Sequence, residues 1–413
     1  MTDYVVVGGG VAGVTAARGL RDRVSGDDTI RVLSDEPYPY YPRPLLWRFI
    51  AGRMRKENLY FQPPSWYEMR GIELHLDTRV TRLDADAHRL TLGDGQQVSY
   101  DRLLLSTGAR PFVPSVEGVQ KEGVFTLRTL DDAIAIRDYA RRVAQAVVIG
   151  GGLLGLETAR ALREVGPEVC VIEVADHLLP RQLDSEGAHL LRILLERQGL
   201  GVTTGAVVDA ILGGGAAEKV RTDGGRVIDG ELVLFSAGIR CRARLARNGG
   251  LEVDRGVIVD EQMRTSADDV FAAGDVAEFK GSVYGNIPPS MEQAGVAAAN
   301  MVEPGSALYT GTVPATTLEV AGARVTSVGT YDPDRGEEYQ IVRRTDAQRG
   351  LYRKFVLAGG RLVGAILLND PQRAAIARQL IDREIDVSEH ADRLAEDDFD
   401  LGSLLSVEQV TGG

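Results

Sequence analysis

Residues 4–13 read Tyr4-Val5-Val6-Val7-Gly8-Gly9-Gly10-Val11-Ala12-Gly13, and residues 147–155 repeat the pattern as Val147-Val148-Ile149-Gly150-Gly151-Gly152-Leu153-Leu154-Gly155. In each stretch a β-branched run leads straight into G-x-G-x-x-G, the spacing that turns a strand into a helix and lets bare backbone approach a pyrophosphate. The first glycine permits the tight turn, the second leaves no Cβ between backbone and phosphate, and the third lets the helix pack close to the strand. The phosphate then meets unpaired N–H groups and the positive end of the helix dipole. One such motif also occurs in ordinary α/β turns. Two in matching contexts point to two dinucleotides on one chain, with electrons passing between them.

Outward from the first glycine run, Ile30-Arg31-Val32-Leu33 is the expected second strand. Asp35 and Glu36 stand just past its end, where a ribose-binding carboxylate belongs, and either acid meets that description. A tyrosine- and proline-rich loop, Pro37 to Pro44, follows; Leu103 to Ala109 reads as a buried strand ending in a glycine turn. Past a linker rich in Pro and Gly, Pro111 to Gly123, the second unit has Val169-Cys170-Val171-Ile172 as its second strand, ending at Glu173. A carboxylate there suits both hydroxyls of an adenosine ribose and repels a 2′-phosphate, and no arginine follows before Arg181. NADH is therefore expected over NADPH. Leu232 to Gly238 closes this unit, and Asp269 to Asp275 predicts a buried strand with a glycine and an acid at its tip. From Gly311 the alternation in Thr316 to Val320, Leu351 to Leu357 and Arg361 to Leu368 predicts an antiparallel sheet, closed by a helix near Gln372 to Arg383. The acids Glu396, Asp397, Asp398 and Asp400 read as a solvated face.

A chain of 413 residues exceeds one small core and calls for two or three domains. Its net charge of −12 argues against nucleic acid and against an anionic membrane surface. Cys170 and Cys241 are the only cysteines, and the five histidines have no metal-ligand spacing, so neither a disulfide framework nor a metal site is expected. The first strand begins by Tyr4, which leaves no room for a signal peptide, and no apolar run approaches a membrane span. A reducing, cytoplasmic location is the expectation. Residues 57–62 spell ENLYFQ, the core of a viral protease site, but Pro63 follows it inside an early domain; the match is read as native coincidence.

The order GGGVAG, then STGARP at 106–111, GGGLLGLE at 150–157 and VFAAGD at 270–275 resembles the FAD-dependent pyridine nucleotide-disulfide oxidoreductase superfamily over nearly the whole chain. The later segments Tyr309-Thr310-Gly311, Thr317 to Val320, Tyr352 to Leu357 and Leu362 to Ala365 look most like NADH:rubredoxin and ferredoxin reductases and the flavin module of NADH-dependent nitrite reductases. The resemblance implies an α/β chain with two Rossmann-like dinucleotide-binding domains, the NAD domain (113–237) nested in the FAD domain (1–112 and 238–310), plus a C-terminal α+β interface domain and tail (311–413). It implies that Gly8, Gly10 and Gly13 hold the FAD pyrophosphate, that Thr107, Gly108 and Gly274 line the FAD site, and that Asp275 bonds the ribityl or phosphate region. Gly150, Gly152, Gly155 and Glu173 would hold NADH. In related ferredoxin reductases a lysine after an Arg-Pro loop pairs with a glutamate behind the second fingerprint, beside the reactive flavin edge. Here Arg43 and Pro44 form the loop, Arg48 replaces the lysine and Glu157 is the matching acid, a change that keeps the charge and alters its shape.

The superfamily's C-x-x-x-x-C is absent, and so is the single cysteine that peroxidases and water-forming oxidases carry near residues 40–48. Cys170 reads as an inert strand residue; Cys241 lies between Arg240 and Arg242, a setting that can lower a thiol pKa, and a redox role for it is the lesser of two readings. Without a thiol relay, electrons leave directly from the flavin, which suits a one-electron iron–sulfur or rubredoxin-type acceptor, with the chain free-standing or the NADH-oxidising subunit of a larger metalloenzyme. Arg43, Arg48, Arg53, Arg55 and Lys56 form a basic stripe suited to an acidic acceptor and equally to a solvated face. The competing readings are an NADH oxidase using O₂ or a quinone, and a nucleotide-sensing scaffold like apoptosis-inducing factor.

Overall fold

β-branched runs ending at glycine turns produce two parallel sheets of the same plan. The computed structural model describes residues 1–312, 315–320, 322–333 and 338–405. The chain divides into two units, Met1–Phe112 with Gly238–Thr312, and Val113–Ala237 with Val313–Gly413.

In the first unit Asp3–Val7 lies between Thr29–Leu33 and Arg102–Leu105, with Glu73–His75 and Val270–Ala272 outside them, all parallel. The inner runs are continuously apolar, as a sheet covered on both faces requires, and Val5, Val6, Leu103 and Leu104 are fully buried. The helix Val11–Arg21 packs Ala12, Ala16, Ala17 and Leu20 into this core, against Ala294, Ala297 and Ala298 of the helix Ile287–Val302. Small side chains set that approach: a Cβ on Gly19 would stand 3.2 Å from the Ala298 Cβ.

The strand expected over 103–109 stops at Leu105. The Ser106 hydroxyl lies 3.0 and 3.1 Å from the Val7 and Gly8 carbonyls and donates between them, while Gly108 turns the chain at φ +68°. Ala109–Pro111 then restarts as the antiparallel partner of Ile239–Cys241.

In the second unit Gln145–Ile149 sits between Glu168–Glu173 and Leu232–Phe235, flanked by Leu200–Thr204 and Val124–Thr126, again all parallel. The strand expected to reach Gly238 ends at Phe235. Beyond residue 312 come five antiparallel strands in the order Ala315–Val320, Ala323–Gly329, Arg361–Leu368, Leu351–Ala358, Tyr339–Asp346, followed by the helix Pro371–Asp382. Pro371 at the first helical position and the Asp370 carboxylate, which accepts the Arg373 N–H at 3.3 Å, start that helix.

The acids Glu396, Asp397, Asp398 and Asp400 are exposed, as the reading of a solvated face expects, and Asp397 is in addition an anchor of the tail. Asp397 accepts from Arg353 at 2.8 Å and Arg344 at 2.9 Å, and the buried Arg353 also pairs with Asp370 at 2.7 Å. Arg373 donates to the carbonyls of Leu394, Glu396 and Phe399 at 2.9, 2.6 and 2.7 Å. The tail from Ser388 to Leu405 is thus tied down by two arginines, one on a strand and one on a helix; residues 406–413 lie outside the described residues. Arg373→Met leaves three carbonyls without their donor, those of Leu394 and Phe399 in buried bonds, and is expected to lower unfolding stability by about 2–4 kcal/mol. Limited proteolysis should then cut within 388–405 before the rest of the chain; cleavage as slow as in the unsubstituted protein would contradict this account of the tail.

Candidate functional site

Each fingerprint strand ends against its parallel neighbour, and that register builds the site. Val7 pairs with Leu33 and Leu105, and Ile149 pairs with Ile172 and Phe235, so the next residue on the central strand is Gly8 in one unit and Gly150 in the other. Both have φ +119°, a conformation that excludes a side chain. A Cβ on Gly8 would lie 2.2 Å from the Ser106 carbonyl oxygen, and one on Gly150 2.3 Å from that of Ser236. The third glycines pack as tightly, with the Cβ positions of Gly13 and Gly155 falling 1.9 and 2.0 Å from the carbonyls of Gly8 and Gly150. The middle glycines differ: nothing lies within 4 Å of a Cβ on Gly10 or Gly152. These two residues are the N-caps of the helices Val11–Arg21 and Leu153–Val165, both extended and both without a side-chain cap. An open space in front of first-turn N–H groups at the positive end of a helix fits a pyrophosphate.

Beside the first cradle the acids part company. Ser34 occupies the place directly after the second strand, with its hydroxyl 2.9 Å from a Cβ on Gly9. Asp35 is exposed and pairs with Arg242 at 3.0 Å, whereas Glu36 is half-buried, accepts the Tyr41 hydroxyl and pairs with Arg43 at 2.6 Å. Although burial works against its charge, Glu36, Tyr41 and Asp275 together raise the Arg43 pKa above its ordinary value. Glu36, Arg43 and Asp275 therefore form one charge cluster. Pro44 opens the short turn Arg43–Leu45 and is exposed. The Thr107 hydroxyl donates to the Arg242 carbonyl at 2.9 Å, and the Arg242 N–H returns to the Gly108 carbonyl at 2.8 Å. Gly274, at φ +83°, would set a Cβ 2.8 Å from that of Ala12, which brings the Asp275 turn against the start of the first fingerprint helix. The Gly274 N–H is held by the buried Gln293 at 2.9 Å.

In the second cradle Glu173 is the last residue of the second strand, at the register position that Ser34 holds in the first. It is 6% exposed and accepts the N–H groups of Gly151 at 2.5 Å and Ala175 at 2.9 Å. Glu157 lies on the helix Leu153–Val165, half-buried. Arg48 lies on the short helix Leu46–Ile50 of the first unit, exposed, with its guanidinium 5.3 Å from the centre of the Trp47 ring. Within the basic stripe Arg43 turns inward to Glu36, Arg53 also lies over Trp47 at 5.8 Å, Lys56 sits 4.3 Å from the Tyr38 ring centre, and Arg55 is exposed.

The expectation for Cys241 is overturned. Burial raises its pKa, and the nearby Asp275 raises it further; Arg240 lowers it by less, stacked as it is on Phe112 at 4.5 Å, while Arg242 is drawn to Asp35. Burial likewise raises Cys170. Five positioning residues escaped the sequence reading. Ser106 and Ser236 contribute backbone carbonyls, which carry no residue signal, and Gln293 and Arg242 reach the site from distant segments. Ser34 had a signal, since counting the register of the two second strands aligns it with Glu173. Among the described residues no group of three or more His, Cys, Asp or Glu side chains is arranged to hold a metal ion, and no helix is long and apolar enough to cross a membrane.

Over residues 2–300 the sequence matches the family described as pyridine nucleotide-disulphide oxidoreductase, and over residues 314–385 the rubredoxin NAD+ reductase C-terminal domain. It is 34% identical over 386 residues to an NAD(P)H nitrite reductase of Bacillus subtilis (strain 168), covering 93% of this chain and 48% of that relative. The chain thus spans about half the length of that protein. It is 32% identical over 397 residues to the ferredoxin–NAD(+) reductase subunit of a benzene 1,2-dioxygenase system of Pseudomonas putida, covering 93% of this chain and 94% of the subunit. A chain of the covalent putidaredoxin reductase–putidaredoxin complex superposes with a TM-score of 0.87 at 28% identity, covering 99% of each. With two matching cradles and a family match across most of its length, the chain belongs to the pyridine nucleotide-disulphide oxidoreductase family.

Proposed function

We propose that the chain is an NADH-dependent FAD flavoprotein reductase that hands electrons to an iron–sulfur or rubredoxin-type acceptor protein. The observation that carries this reading is the pair of cradles with one geometry, on a chain whose two cysteines are free and held as thiols. The full-length likeness to a subunit named as a ferredoxin–NAD(+) reductase supports the acceptor class, and the partial match to a nitrite reductase supports a role as the NADH-oxidising part of a larger metalloenzyme. Free thiols fit a reducing, cytoplasmic setting.

In this reading Gly8, Gly10 and Gly13 receive the FAD pyrophosphate on the first helix N-terminus, and Thr107, Gly108 and Gly274 keep backbone close to the cofactor. Glu36 is assigned the ribose, because it is half-buried in the cluster with Arg43 and Asp275, whereas Asp35 faces out to Arg242. Asp275 accepts hydroxyls of the ribityl region. Gly150, Gly152 and Gly155 receive the NADH pyrophosphate, and the lone pairs of Glu173 left over from Gly151 and Ala175 take the adenosine ribose hydroxyls. Bound FAD would supply the conversion from the hydride of NADH to single-electron transfer. Arg48 and Glu157 are the residues proposed to tune that step through their charges. Arg48 and Arg53, exposed over Trp47, and the exposed Arg55 are proposed to meet the acidic acceptor.

Anaerobic stopped-flow reduction by NADH, followed by mixing with oxidised rubredoxin, ferredoxin or air-saturated buffer, tests the path. Fast bleaching and fast reoxidation by an iron–sulfur protein are expected; reoxidation by O₂ alone would favour an oxidase, and NADH-dependent oligomerisation with very slow turnover a sensing scaffold. A carboxylate at Glu173 disfavours a 2′-phosphate, so kcat/KM for NADH should exceed that for NADPH by about 100-fold, and Glu173→Ala should narrow the ratio by at least about tenfold. Equal use of both coenzymes would refute the assignment. Because a raised pKa leaves less thiolate at neutral pH, native Cys241 should react with iodoacetamide more slowly than free cysteine and keep accelerating above about pH 8.5. Labelling as fast as free cysteine at pH 7 would restore a redox role.

A further inference from the structure

The segment between Glu173 and the helix Ser185–Glu196 joins the second cradle to the C-terminal sheet. At its near end Leu179 donates its N–H to the Gly151 carbonyl at 3.0 Å, and a Leu178 methyl lies 2.6 Å from where a Cβ on Gly151 would stand. The Gly151 peptide is thereby held from both sides, its N–H by Glu173 and its carbonyl by Leu179. At the far end Asp184 caps the helix, accepting the Gly187 N–H at 3.0 Å. Gln182 and Leu183 donate back to the Leu179 carbonyl at 2.8 and 2.9 Å, which makes one closed turn of the stretch between. Leu178, Leu179 and Leu183 are each at most 1% exposed. Leu179 has φ +51°, a left-handed conformation that a leucine keeps only where its surroundings impose it.

At the far end of the turn, Asp184 is held by groups of the strand Leu351–Ala358. The Tyr352 hydroxyl donates to Asp184 at 2.7 Å, and the Lys354 ammonium lies 2.9 Å from Asp184 and 2.9 Å from Asp332. Tyr352 is fully buried and Lys354 is 4% exposed. One residue into the helix, Glu186 accepts the Thr345 hydroxyl at 2.5 Å and pairs with Arg343 at 3.3 Å. Although burial works to raise it, the Gly187 N–H, the Tyr352 hydroxyl and the Lys354 ammonium hold the Asp184 carboxyl below its ordinary value. A buried ion pair adds little net stability over apolar packing of the same volume, but it admits few geometries. Here the geometry it selects belongs to the turn beside Gly151.

We propose that Tyr352 and Lys354 are positioning residues for the coenzyme: through Asp184 they hold the Leu178–Leu183 turn against Gly151, and so fix the second cradle and the Glu173 carboxylate. This rests on the reading of that cradle as the NADH site. Neither residue touches the coenzyme in this scheme, and the C-terminal sheet sets nucleotide affinity from outside the nucleotide-binding fold.

The test uses the full-length, FAD-loaded protein with Tyr352→Phe, Lys354→Met and Lys354→Arg, titrated with NAD+ by calorimetry, with amide hydrogen exchange followed in parallel. Tyr352→Phe removes one hydroxyl and keeps the ring, so it remains informative should Lys354→Met fail to fold. The expected result is faster exchange at the Leu179 and Leu183 amides and an NAD+ Kd raised about fivefold in Tyr352→Phe and Lys354→Met, a size that positioning networks transmit, with recovery in Lys354→Arg. Faster exchange with an unchanged Kd, or a lowered melting temperature with neither change, would overturn the proposal while leaving the cradle reading intact. Gly152→Val, which fills the open space of the cradle, separates the two claims. If that variant binds NAD+ as the unsubstituted protein does, the cradle reading falls and the positioning proposal falls with it.

Discussion

A backbone carbonyl standing where a side chain would be is the constraint on which both cradles depend. At Gly8 it comes from Ser106 and at Gly150 from Ser236, and in each unit that serine also donates its N–H to the residue before the glycine, at 2.9 Å to Val7 and 2.8 Å to Ile149. The neighbouring strand therefore both ends the central strand and closes the space beside it. The chain must leave the sheet at once, and the third glycine lets the new helix start directly over the turn, with no cap interposed between its first N–H groups and the space in front. Any side chain at these positions would push the helix off the sheet and dissolve the anion-binding geometry with it. Repeated register, rather than repeated residues alone, is what makes the two sites equivalent.

A second constraint governs the strand Leu351–Ala358. Its alternating sequence resembles a strand with one wet face, yet every residue from Leu351 to Leu357 is buried. Phe355 and Leu357 point into the core made with the helix Pro371–Asp382 and the tail, while Tyr352 and Lys354 face the helix that Asp184 caps. The adjacent cations Arg353 and Lys354 thus lie on opposite faces of the sheet and find separate carboxylates, Asp370 and Asp397 on one side, Asp184 and Asp332 on the other. Removing a partner from either set would strand a buried charge, so the sheet is committed to both neighbours at once.

This explains which features were legible in the sequence. Glycine spacing and apolar runs report local geometry, and they located both cradles, the strands that flank each glycine turn, three of the five antiparallel strands and the helix at Pro371–Asp382 to within a residue or two. The strands Glu73–His75, Val124–Thr126, Leu200–Thr204, Ala323–Gly329 and Tyr339–Asp346 were missed, and the strand expected over 269–275 stops at Ala272. Strand ends at Leu105 and Phe235 were overrun, because the apolar character of Ala109 and Ala237 continues past the point where register stops. Side-chain partnerships over long separations left no trace. The acids at 396–400 are exposed as expected, but the pairing of Asp397 with Arg344 and Arg353 was invisible because those cations lie on other elements; the arginines that flank Cys241 face away to Phe112 and Asp35. A residue's neighbours in sequence are a poor guide to the charges it feels.

Where the duplication breaks, the two cradles diverge in charge. Ser34 and Glu173 occupy the same register position, but the first unit displaces its acids by one and two residues, to Asp35 and Glu36, and gives each an arginine partner. Glu173 accepts the backbone N–H groups of Gly151 and Ala175, so a carboxylate stands directly at the second cradle. A dinucleotide carries two phosphate charges, so cations near the first cradle favour retention, whereas a carboxylate near the second opposes the phosphates and selects by ribose hydroxyls. On the proposed reading this difference divides the labour: the neutralised cradle keeps a resident cofactor, and the acidic one binds a coenzyme that must leave after each hydride. One fold supplies both affinities by moving a carboxylate along the chain relative to a fixed glycine turn.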